Sequence, residues 1–169
     1  MQIISSSDPL LHTPSRQFIE DELKDAEGSL KPIAKELISI LYQQNALGVS
    51  ACQVGIDAAM FVMDVNNNIR VCSNPTILAA SLDMSLGTEG CLSYPGLKLN
   101  VRRPESIAVQ YYDLDGNEVR EHLEGIEARV WLHEYDHTMG ICFTDRVSKL
   151  SLNMAKKKLA KVIKKRNNT

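Results

Sequence analysis

The 169-residue chain is about one domain long, and with 44% apolar residues, 24% charged residues and a net charge of −2 it has the composition of a globular protein, not of a disordered or fibrous one. No apolar run approaches the roughly 20 residues of a membrane helix, and four cysteines at 52, 72, 91 and 142 with no short paired spacing argue against a disulfide framework. The charge is uneven: residues 149–169 hold eight Lys or Arg and no acid, leaving eleven basic against twenty-one acidic residues on the rest of the chain.

The N-terminal stretch MQIISSSDPLLHTPSRQF has neither the basic start and apolar block of a secretory signal nor the arginines of an organelle-targeting segment, so a cytoplasmic location is expected. The first helix is expected at about 30–44. There Leu30, Ile33, Ala34, Leu37, Ile38 and Leu41 recur every three or four residues, with Ser29 as N-cap and Pro32 in the first turn. Between 48 and 124 the pattern becomes short β-branched and aromatic runs. Strands are expected at 59–65, 69–72, 106–114 and 117–123, with Asp115-Gly116 as a hairpin turn having positive φ at both positions. Residues 88–96, TEGCLSYPG, read as a loop, because glycines and a proline interrupt any long strand. A helix over 126–139 and a final helix at about 150–165 follow, the latter with Leu152, Leu159, Val162 and Ile163 on one side. With no repeat or linker, the pattern predicts a single domain over 1–169: an α+β fold in which antiparallel strands surround a central helix, flanked by an N-terminal helix and a basic C-terminal helix at about 149–166.

The central helix carries His133-Glu134-Tyr135-Asp136-His137. Histidines at i and i+4 share one helical face and can converge on one metal, with Glu134 beside them as a proton acceptor. A catalytic divalent ion usually takes three protein ligands and keeps a position for water. Downstream of His137 there is no histidine and only one carboxylate, Asp145, so a zinc endopeptidase of the H-E-x-x-H type is poorly supplied with a third ligand. Upstream, Cys91 follows a glycine, and a Cys-His-His set is chemically sound for a divalent transition metal.

The motifs LGVSACQ (47–53), EGCLS (89–93) and HEYDH (133–137) resemble, in order and spacing, those of the peptide deformylases, with coverage from about 8 to 147. The first motif departs from that pattern: Ala46 stands where a glycine is usual and Ser50 where an alanine is usual. Leu132 replaces a glutamine common before the first histidine. The resemblance implies removal of the formyl group from N-formyl-methionyl nascent peptides. It implies Cys91, His133 and His137 as metal ligands, and Glu134 as the group that takes a proton from metal-bound water and returns it to the leaving amine. It further implies that the Gln53 side chain and the Leu92 N–H stabilise the oxyanion. Leu47, Gly48, Glu89 and Gly90 would line the substrate cleft as a strand partner, and a methionine pocket would lie near Ile126, Val130 and His133. Ser50 would add a hydroxyl near the substrate strand.

By the same resemblance the ion is Fe2+ in the cell, with Zn2+, Ni2+ or Co2+ in purified samples. Asp136 either orients a ligand histidine or braces the helix from behind the ligands, or else makes only a helix-surface ion pair. Cys52, Cys72 and Cys142 read as packed residues, and His12 and His122 as ordinary ones lacking companions at ligand spacing. The basic tail is either a solvated face or, as the resemblance suggests, a ribosome-docking helix. A monomer without DNA or membrane partners is expected. The rival readings are the zinc endopeptidase and a non-catalytic metal- or ribosome-binding module, which needs neither Glu134 nor Gln53.

Overall fold

The computed structural model describes residues 2–167. Strands β1 (Gly48–Ser50), β2 (Met60–Val65), β3 (Asn68–Ala80), β6 (Ser106–Tyr112) and β7 (Glu118–Glu124) form one antiparallel sheet in the order β1-β2-β3-β6-β7. A separate hairpin pairs β4 (Met84–Cys91) with β5 (Tyr94–Pro104). The helices are a short α1 (Glu20–Lys24), α2 (Ala26–Gln43), α3 (Gly125–Thr138) and α4 (Lys149–Asn167). This is the α+β arrangement expected from the sequence. Among the described residues no helix is long and apolar enough to cross a membrane.

β2 explains how the layers are held. Its side chains alternate between faces, so Met60 and Val62 join the core under α2, while Phe61, Met63 and Val65 join the core under α3. Both faces are therefore buried, which is why the run MFVMDV is apolar almost throughout. On α3, fully buried Trp131 meets the Phe61 ring edge-on at 5.5 Å and stacks on Tyr135 at 5.2 Å, anchoring the helix to the sheet. Nine of the fourteen α3 residues are buried, His133, Glu134 and His137 among them. A helix so enclosed holds its polar side chains in one geometry.

Several sequence expectations change. α2 begins at Ala26 and is capped by Asp25, whose side chain accepts from Gly28 N, so Ser29 and Pro32 lie inside the helix. The turn with two positive φ values is Asn66-Asn67 (57° and 59°) between β2 and β3. In the β6–β7 connection only Gly116 is left-handed (φ 79°), and the Asp113 carboxylate accepts from Asp115 N and Asn117 N. Residues 88–96 are not a loop: Thr88–Cys91 closes β4, Leu92-Ser93 turns, and β5 starts at Tyr94. The inward face of β5 is Leu97, Leu99, Val101 and Arg103, and α4 covers it with Leu152, Ala155 and Leu159. Val162 and Ile163, expected on the packed side of α4, are exposed because the helix runs past the hairpin.

Candidate metal centre

Helix α3 and the tip of the β4–β5 hairpin meet at the three predicted ligands. Ligand atoms of Cys91, His133 and His137 all lie within 4.8 Å of one another. Cys91 Sγ is 3.3 Å from His137 Nε2. A tetrahedral ion with typical metal–sulfur and metal–nitrogen bonds needs that pair about 3.6 Å apart, so the donor set fits a divalent transition metal after a shift of a few tenths of an ångström.

The two histidines differ in how ready they are for such an ion. Burial, reinforced by the positive charges of His133 and Arg103, lowers the His137 pKa and leaves its imidazole neutral. His133 donates from Nδ1 to Glu89 Oε2 at 2.9 Å, because a carboxylate can only accept, and its other nitrogen is left for the ion. In the metal-free protein, burial disfavours a charged His133, but Cys91 and Glu89 outweigh it and raise the pKa to about 10. Metal binding must displace that proton.

Glu89 is the hub of a buried ion network that sequence reasoning missed. Burial alone would raise its carboxyl, yet Arg103 and His133 hold it down to about 2. Arg103 Nε and Nη2 both lie 2.9 Å from Glu89, a bidentate pair, and Arg103 Nη1 reaches Asp136 Oδ2 at 2.6 Å. Arg129 adds a bond to Glu89 Oε1 at 2.9 Å and ties down the main-chain carbonyls of Ser85 and Val101. Asp136 is also paired with Arg146. It is 2% exposed, so it braces α3 from the interior and makes no helix-surface pair. The alternation of Leu97, Leu99, Val101 and Arg103 was a legible signal: an arginine on an inward face requires a buried anion.

Glu134 lies beside the ligands, 3% exposed. Burial raises its pKa, opposed by the charge of His133 and the hydrogen bond from Ser50. Ser50 Oγ donates to Glu134 Oε2 at 2.7 Å, so the unusual serine grips this carboxylate and does not face a substrate strand. Gly48 faces the same carboxylate: a Cβ there would lie 2.6 Å from Oε1 and 2.7 Å from Cγ. Gln53 is oriented at both ends, its Oε1 accepting from Ser50 N at 2.9 Å and its Nε2 donating to Cys91 Sγ at 3.2 Å. Ala46 keeps a negative φ, so the missing glycine causes no strain. Buried Leu132 packs into the α3 core.

A cleft of about 510 Å³ opens over this centre. Its lining includes every predicted cleft residue: Leu47, Gly48, Gln53, Glu89, Gly90, Leu92, Ile126 and Val130. Glu89 differs from expectation, because its carboxylate is spent on Arg103, Arg129 and His133. Cys52, Cys72 and Cys142 are packed. His12 does have companions: it approaches Cys142 and Asp145 within 4.8 Å. There Asp145 Oδ2 accepts from Cys142 N and so caps a short 3-10 turn, His12 Nε2 is paired with the Ser6 carbonyl, and burial pushes the Cys142 thiol up to about 11.

Fold and site together present an H-E-x-x-H helix met by a cysteine from a hairpin, a donor set of the kind that holds a single divalent ion. Residues 1–153 match the polypeptide deformylase family. The peptide deformylase of Thermotoga neapolitana is 37% identical over 136 residues, 80% of this chain and 83% of its own. That of Prochlorococcus marinus strain NATL2A is 33% identical over 177 residues, covering 99% and 85%. The crystal structure of a peptide deformylase from Synechococcus elongatus in complex with actinonin superposes with a TM-score of 0.86 at 33% identity, over 95% of this chain and 86% of that one. The chain belongs to the polypeptide deformylase family.

Proposed function

We propose that this protein is a peptide deformylase, hydrolysing the formamide of N-formyl-methionyl peptides to formate and a free α-amine. The observation that carries the reading is the meeting of Cys91, His133 and His137 beside buried Glu134 in one cleft. A divalent ion on those three ligands would lower the pKa of a bound water and polarise the formyl oxygen.

Glu134 supplies the proton transfers. Ser50 holds Oε2, leaving Oε1 to take a proton from the attacking water and return it to the departing amine. Its raised pKa brings the carboxyl nearer the working pH, where a group can serve as base and then as acid. Gln53 Nε2, aimed at Cys91 by the Ser50 N–H, and the Leu92 N–H at the hairpin turn supply the donors for the developing oxyanion. Leu47, Gly48 and Gly90 receive the peptide backbone, and Val130 and Ile126 on α3 line the apolar pocket for the methionine side chain. Formate release from formyl-Met-Ala-Ser, with Glu134→Ala as control, tests the reading. Formate from both proteins, or from neither when metal is bound, would refute it.

The thiolate–imidazole set accepts several transition metals, and we assign Fe2+ as the ion of the working enzyme. Equal activity of anaerobically prepared iron and zinc forms would sink that assignment. For the basic helix α4 we propose docking on ribosomal RNA. Removing residues 149 onward is a poor test, because it would strip Leu152, Ala155 and Leu159 from β5. Reversing exposed Lys156, Lys157 and Lys158 to Glu leaves that packing intact. Co-sedimentation with ribosomes should then weaken and lose part of its salt dependence; unchanged co-sedimentation would refute the docking.

A further inference from the structure

The hairpin brings a charge to the cleft that the catalytic reading does not use. A Cβ built on Gly90 would lie 2.6 Å from Lys98 Nζ and 3.1 Å from its Cδ and Cε. The lysine chain thus lies across the bare backbone of residue 90, next to the ligand Cys91. Strand alternation puts it there: Leu97 and Leu99 turn into the core, and Lys98 between them takes the other face. Both Gly90 and Lys98 line the cleft.

The charge is uncompensated. Among the described residues Lys98 has no hydrogen-bond or ion-pair partner. The two carboxylates of the cleft are committed elsewhere, Glu89 to two arginines and His133, and Glu134 to Ser50. Arg129, the only guanidinium of the lining among the described residues, already spends its N–H groups on Glu89 and on the carbonyls of Val101 and Ser85. Lys98 is therefore the one full charge on this wall that an incoming peptide could pair with.

We propose that Lys98 is a specificity-determining residue that favours substrates bearing a side-chain carboxylate, Asp or Glu, at one of the two positions following the formyl-methionine. The inference rests on the deformylase reading, which places the peptide backbone along Gly90. A compact ammonium on a flexible stem suits a single carboxylate whose position varies by a residue. Because Lys98 is exposed, the preference should be modest and should shrink as salt rises.

The test compares kcat/KM for C-terminally amidated formyl-Met-Ala-Ser, formyl-Met-Asp-Ser and formyl-Met-Ala-Asp, so that the side chain is the only carboxylate. The wild type should favour one acidic peptide over the neutral one by roughly two- to fivefold at low salt. Lys98→Met should abolish that ratio, Lys98→Glu should invert it, and added salt should bring all three enzymes together. Equal ratios in the three enzymes, or no acidic preference in the wild type, would overturn the assignment while formate from the neutral peptide leaves the deformylase reading standing. No formate from the neutral peptide sinks both.

Discussion

Replacing Gly48 by alanine puts one methyl group against the Glu134 carboxylate, to which the deformylase reading gives the proton transfers. The added Cβ would lie 2.6 Å from Glu134 Oε1, 2.7 Å from Cγ and 2.9 Å from Cδ, where ordinary contact begins at 3.4 Å. Some 0.8 Å must be found. β1 cannot retreat, because Gly48 is paired with Met63 on β2 and Leu47 O accepts from Asp64 N at 2.9 Å. Glu134 must move, and in moving it strains its bond to Ser50. A misplacement of about 1 Å costs on the order of 100-fold in rate, equivalent to about 2.7 kcal/mol of barrier. Steady-state formate release should therefore show kcat down by about that factor with KM within about threefold of wild type and metal content unchanged. Full kcat with a raised KM would mean that the methyl blocks the cleft and leaves Glu134 in place, refuting the reasoning; so would unchanged kinetics.

Arg103→Met removes the cation between Glu89 and Asp136. Stability should fall by about 3 kcal/mol, the low end for breaking a buried pair because Arg129 and Arg146 still face the two acids. The melting temperature should drop by roughly 6–12 °C; a drop under about 2 °C would show that the network is not holding the hairpin on α3. The Glu89 carboxyl sits at about 2, below its ordinary 4.5, so the unfolded chain binds more protons between those values. The stabilisation is complete above pH 4.5 and is lost as pH falls toward 2, about 3 kcal/mol in all. In urea titrations across that range Glu89→Gln should lose this part of the slope, and an unchanged slope would count against it. Chelation should abolish formate release and re-added metal restore it, while Cys91→Ala should lose metal and activity together. Cys72→Ala, in the sheet core away from the cleft, should keep both; metal loss in Cys72→Ala would contradict the ligand set.

What the chain declares by itself is whatever depends on near neighbours. The donor pair His133 and His137 with Glu134 is set by helical spacing, and the breaker-free run before Gly140 marks that helix. Cys91 was legible by chemistry, since two histidines without a later partner need a donor from elsewhere. Even the α+β class follows from the change of period along the chain. The rest depends on residues far apart in sequence. Arg103 and Arg129 stand 14 and 40 residues from Glu89, and Ser50 stands 84 from Glu134, so no local pattern pairs them. TEGCLSYPG reads as a loop because Gly90 and Pro95 weaken a strand, yet pairing with β5 and the bonds of Glu89 to Arg129 and His133 on α3 outweigh that local preference. The local chain thus determines the candidate donors and the helix that bears two of them. Only tertiary packing decides which carboxylate bonds a histidine, which is gripped by Ser50 beside the candidate donors, and which lysine is left without a partner at the cleft, because burial and long-range pairing fix the surroundings of each charge.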